Sequence, residues 1–109
     1  MTNYARGANF ERDVKRDLEG RGYLVIRSAG SHGAVDLMAC HQNAGVAADW
    51  WLVQCKINGK ASPAERNELY RIAEQCNAWA VIVSRPKRGA ILYQRLFVRG
   101  HEQFVEIFP

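Results

Sequence analysis

The sequence predicts an α/β fold, a mixed β-sheet flanked by helices, with elements in the order α-β-β-β-α-β-β-β. Three observations carry this reading. Phe10, Val14 and Leu18 recur at i, i+4, i+8, the stripe of an amphipathic helix. Short runs rich in β-branched and aromatic residues ("YLVIR", "VDLMACH", "WWLVQCKI") alternate with turn chemistry. A second helix with clear start signals then separates these from three further strand-like runs.

In order, the first helix is expected over about 3–20, with Gly20 or Gly22 available for its C-cap. Residues 23–27 form a strand, and "SAGSHGA" (28–34) is loop chemistry without a periodic face. Strands at 35–41 and 50–57 flank a turn and form a hairpin. The second helix is expected over 63–77, because Ser62 suits the N-cap, Pro63 the first helical position and Glu65 a capping box. "AWAVIVS" (78–84) is a near-continuous apolar run, as for a strand covered on both faces. Strands at 90–98 and 102–108 complete the sheet.

A chain of 109 residues is expected to be a single domain with one hydrophobic core. With 48% apolar and 24% charged residues the balance is that of an ordinary globular protein. No apolar run approaches the roughly 20 residues that cross a bilayer. The first residues, "MTNYARGANFERDVKRD", contain no apolar h-region, so the expected location is the cytoplasm. Cys40, Cys55 and Cys76 form no C-x-x-C pair, which argues against zinc and a disulfide framework. They read as small buried hydrophobes; the alternative is a catalytic Cys–His pair with His32, His41 or His101.

Fifteen basic residues against eleven acidic leave a net +4, compatible with a polyanion partner or with a solvated surface. Arg6, Arg12, Lys15, Arg16, Arg21 and Arg27 crowd the first quarter; Arg85, Lys87, Arg88, Arg95 and Arg99 crowd the last.

Four polar residues interrupt apolar elements: Glu11 beside the stripe of the first helix, Asp36 in the second strand, and Gln54 and Lys56 in the third. Period-2 geometry points Gln54 and Lys56 to one face, and the hairpin brings Asp36 near them. Two carboxylates and an amide oxygen are hard ligands suited to Mg²⁺ or Mn²⁺, which activate water and neutralise charge at phosphorus. The Lys56 ammonium suits a phosphorane-like transition state. The plain structural alternative is a buried salt bridge between Asp36 and Lys56, with Gln54 as filler.

"FER" in the first helix, "GYLVIRSAGSHGAVDLMA", and "WLVQCK" followed by a helix resemble the archaeal-type Holliday junction resolvases (Hjc) of the restriction-endonuclease-like, PD-(D/E)xK nuclease superfamily. The resemblance covers roughly the first seventy residues in order and spacing. It implies a restriction-endonuclease-like sheet and a Mg²⁺-dependent endonuclease (Mn²⁺ as substitute) that cuts four-way DNA junctions by paired symmetric hydrolysis. It assigns Glu11, Asp36 and Gln54 to metal binding, Lys56 to catalysis, and Ser31 to a further active-site contribution. Arg6, Arg12, Arg27, Ser31 and His32 become DNA contacts. The family works as a homodimer, which suits the two-fold symmetry of a junction; no membrane or small-molecule substrate is implied. The late apolar segment (Ile91, Leu92, Tyr93, Leu96, Phe97, Val98, Phe104, Phe108) reads either as part of a dimer interface or as sheet core.

The chain departs from the family pattern twice. Val35 stands where a Pro is usual, and Gln54 where a Glu is usual. The rival readings are another nuclease of the superfamily, acting on linear or flapped DNA, and a DNA-binding dimer that Gln54 has silenced.

Overall fold

The computed structural model describes residues 2–28, 33–43, 49–57, 60–86, 89–97 and 104–108, without the side chains of Asn3, Tyr4 and Phe104. The elements follow the expected order: α1 (Asn3–Gly20), β1 (Tyr23–Arg27), β2 (Leu37–His41), β3 (Trp51–Lys56), α2 (Pro63–Gln75), β4 (Trp79–Ser84), β5 (Leu92–Leu96) and β6 (Phe104–Glu106). Among the described residues, no helix is long and apolar enough to cross a membrane.

Local chemistry explains the boundaries. Thr2 caps α1, its hydroxyl accepting from the Ala5 N–H at 3.1 Å. The helix ends at Arg21, and Gly22 takes φ +92° to turn the chain into β1. A side chain there would also press on the His41 ring, 3.1 Å away. At α2 the capping box is complete: Ser62 Oγ accepts from the Glu65 N–H at 3.2 Å, and Glu65 Oε1 accepts from the Ser62 N–H at 2.9 Å. The helix stops at Gln75, two residues before the expected end, and Asn77 adopts a left-handed φ of 53°.

The six strands lie in chain order, β1-β2-β3-β4-β5-β6. The β2–β3 pair is the expected antiparallel hairpin. Among the described strands only β3 and β4 run parallel, and α2 is the crossover between them. Period-2 alternation splits the core into two layers. Val25, Leu37, Ala39, Trp51, Val53, Val81, Val83 and Tyr93 pack with Phe10, Val14 and Leu18 of α1. Leu52, Ala80, Ile82 and Leu96 pack with Leu69 and Ala73 of α2 on the other face. β4 is thus covered on both faces, as its apolar run predicts. α2 covers only the β3–β5 half, and Leu24, Ile26 and Met38 on the β1–β2 half are exposed.

One expectation changes and one open alternative is decided. The apolar runs overstate the strands: β2 begins at Leu37, so Asp36 precedes the strand instead of lying in it. Its N–H and C=O still bond Val53 and Ser28 at 2.8 and 2.9 Å, which keeps it in line with the sheet. In the late apolar segment, Tyr93 and Leu96 are buried and Ile91 and Phe108 pack against the α1 layer, so these residues are core. Phe97 is exposed, and Val98 lies outside the described residues.

Candidate active site

Glu11 follows the buried Phe10 on α1, one step round the helix, which sets it at the margin between helix and sheet. Its Oε1 accepts a hydrogen bond from Arg27 Nε at 3.0 Å, at the end of β1. Burial and the neighbouring Asp36 carboxylate together push the Glu11 pKa above its ordinary value, outweighing Arg27 and Arg12. Two carboxylates are therefore close enough to repel each other in a partly dehydrated setting.

Asp36 sits where the β2–β3 ladder runs out. Leu37 pairs with Val53, and beyond that point the Cys55 N–H has no opposing strand carbonyl. Asp36 Oδ2 takes that proton at 2.8 Å. The carboxylate, 8% exposed as a residue, is thereby held against the β3 backbone between Gln54 and Lys56.

Gln54 and Lys56 share a face of β3 with Leu52, whereas Val53 and Cys55 turn to the α1 layer. Gln54 is 7% exposed, and its Oε1 is buried with no hydrogen-bond partner. Such an orphaned acceptor is rare, because it forfeits the full cost of dehydration. Lys56 Nζ forms an ion pair with Glu65 Oε2 of α2. Glu65 is the site residue that sequence reasoning missed: its capping role already explained a carboxylate there.

The Cys55 thiol is pushed far up by burial first, then by Asp36 and Glu11. That is the reverse of an activated nucleophile, which argues against Cys55 as half of a catalytic Cys–His pair. His32 and His101 lie outside the described residues, as do Ser31, Lys87, Arg88 and Arg99. Arg12 is exposed on α1 and donates to Asn9 at 3.3 Å; Arg6 is exposed nearer the start of the same helix. Beside Lys56, whose β4 partner is Ser84, opens a cavity of about 480 Å³. Lys60, Arg66 and Arg85 line it over an apolar floor that includes Ile82 and Leu92.

Glu11 lies on the α1 side of the sheet near Asp36, which is in line with the sheet, and Gln54 lies on the α2 side, next to the Cys55 N–H that holds Asp36. Among the described residues no three His, Cys, Asp or Glu form a group able to hold a metal ion. A cation here would draw two oxygens from carboxylates and its third from an amide. The donor chemistry fits a hard divalent ion: mutually repelling carboxylates and an unsatisfied amide oxygen all gain from positive charge.

A model of the archaeal Holliday junction resolvase (Hjc) family matches residues 2–102. The chain is 46% identical over 57 residues to the crossover junction endodeoxyribonuclease Hjc of Methanocaldococcus jannaschii. That match takes in 52% of this chain and only 38% of the relative's length. In three dimensions the fold is similar to Archaeoglobus fulgidus Hjc, a Holliday junction resolvase, with a TM-score of 0.65 and 24% identity. The superposition covers 81% of this chain and 70% of that one, and it shows a shared mixed-sheet architecture.

Proposed function

Because the chain belongs to the archaeal Holliday junction resolvase (Hjc) family, we propose that it is a divalent-metal-dependent endonuclease that resolves four-way DNA junctions. The observation that carries this reading is the Asp36 carboxylate held on the backbone N–H of Cys55, the residue between Gln54, whose Oε1 is buried without a partner, and Lys56. The relative from M. jannaschii is named for the same activity.

In this reading Glu11, Asp36 and Gln54 Oε1 would hold a divalent cation, Mg²⁺ with Mn²⁺ as substitute. The chemistry it supplies is an activated water and neutralised charge at the phosphate. Lys56 donates to a non-bridging phosphate oxygen as negative charge builds there. Asp36 is kept in place by its backbone bond, so it need not reorganise when substrate arrives. Arg27, bonded to Glu11, presents the rest of its guanidinium towards the backbone of the DNA. Arg12 and Arg6 add further basic side chains along α1, and Ser31 and His32, outside the described residues, precede Asp36 in the sequence. Such contacts read phosphates, so affinity falls with salt and base preference is weak. The two-fold symmetry of a junction calls for two such sites, hence a homodimer. The work of such an enzyme lies where the DNA is, in the cytoplasm of a prokaryotic or infected cell.

One observation favours a second reading. Gln54 brings no charge, so the protein would bind junctions without cutting them. Incubation with a synthetic four-way junction and with linear duplex, each with Mg²⁺ and with EDTA, separates the two. Paired symmetric nicks on the junction alone, lost with EDTA, are expected. Tight binding without cutting in Mg²⁺ or Mn²⁺ would establish the silent binder, and equal cutting of linear duplex a less selective nuclease.

A further inference from the structure

The face of β3 that carries Lys56 has no carboxylate of its own strand, since position 54 is an amide. α2 brings one to the same place. Glu65 Oε2 takes the Lys56 ammonium, while its Oε1 takes the Ser62 N–H at 2.9 Å. The carboxylate is therefore anchored at one end to the helix start and offered to the strand at the other. Lysine is a flexible four-carbon stem with three donors on a compact head. One donor directed to Glu65 fixes where the others point, and the side chain is 28% exposed, so a phosphate can reach it.

We propose that Glu65 is a positioning residue for Lys56, supplying from α2 the negative charge that Gln54 does not bring to β3. The proposal rests on the endonuclease reading above. Its electrostatic logic is local. Glu11 and Asp36 lie near Arg27, and a divalent ion held by them would bring two further positive charges to the neighbourhood of Lys56. A third carboxylate reduces the repulsion between the ammonium and the cation, and it does so without displacing Gln54. A glutamate at 54 would lie two residues from Lys56 on the same face, so either position can serve.

Glu65→Gln is a clean probe, because glutamine at this position also completes a capping box. Four proteins suffice: the parent, Glu65→Gln, Gln54→Glu and the double variant. Each is assayed for melting temperature, junction affinity in Ca²⁺, cutting rate at saturating junction in Mg²⁺, and trace acetylation of Lys56 relative to Lys60 by mass spectrometry. The expected Glu65→Gln protein stays folded and binds as the parent, melting slightly lower at neutral pH for want of the part-exposed ion pair, but cuts about 10- to 100-fold more slowly, the scale on which supporting contacts act. Its Lys56 acetylates faster, and adding Gln54→Glu returns both the rate and the protection. A parental cutting rate in Glu65→Gln, or a double variant that stays slow, would overturn the proposal. Should the parent cut no junction, the endonuclease reading fails on its own. Labelling then decides the ion pair: faster acetylation in Glu65→Gln upholds the positioning role, and unchanged acetylation overturns it.

Discussion

Lys56 ends β3 with its head partly in solvent, so removing it leaves no hole in either core layer. Lys56→Ala is therefore expected to lose about 10²–10³-fold in single-turnover cutting, the worth of one transition-state donor, with junction binding intact by gel shift. Near-parental cutting would mean that the site lies elsewhere. Gln54→Glu adds charge beside Asp36, and it is expected to hold or raise the cutting rate as Mg²⁺ is lowered. A folded Gln54→Glu protein with no activity at any Mg²⁺ concentration would remove Gln54 from the ligand set. Asp36, Gln54 and Lys56 were readable from sequence for one reason: each breaks an apolar run, and burial of a polar group must be repaid. Glu65 was not, because its helix-start position already accounts for a carboxylate and the turn hides its distance to Lys56. The Glu11–Arg27 bond was equally hidden, since each residue was assigned a different partner, metal for one and phosphate for the other.

At the scale of the element, α2 is where stability and chemistry meet. Ser62→Ala removes the reciprocal cap and is expected to cost about 1 kcal/mol in urea denaturation. Glu65 adds a pH dependence with a definite sign. The hydrogen bond from Lys56, then that from the Ser62 N–H, lowers its pKa below the ordinary 4.5. Its stabilisation is thus fully present above 4.5 and is lost as pH falls through the depressed folded value. The melting temperature should drop more steeply below pH 4.5 in the parent than in Glu65→Gln; identical acid limbs would contradict the pairing. Helix starts were legible because caps are written in adjacent residues, as Ser62, Pro63 and Glu65 are. Strand ends were not, because a ladder stops where its partner stops, and no residue in "VDLMACH" says that β2 loses β3 beyond Leu37. The same loss creates the site: the unpaired Cys55 N–H is what fixes Asp36.

For the whole molecule, chain-ordered strands with a single parallel pair put α1 and α2 on opposite faces. The site lies at the seam between those layers, next to a cavity lined by Lys60, Arg66 and Arg85. The alternation of Trp51, Leu52, Val53 and Gln54 made this sidedness readable. Whether the late apolar segment was core or interface was not readable, because burial inside a sheet and burial against a second copy demand the same residues. Whether two sites act together on one junction is tested most directly on a supercoiled plasmid with an extruded cruciform. Symmetric cuts across the cruciform by a homodimer linearise the plasmid, with little open circle and no product in EDTA. Accumulation of open circle ahead of linear product, or equal cutting of a plasmid without the cruciform, would contradict paired resolution of a four-way junction.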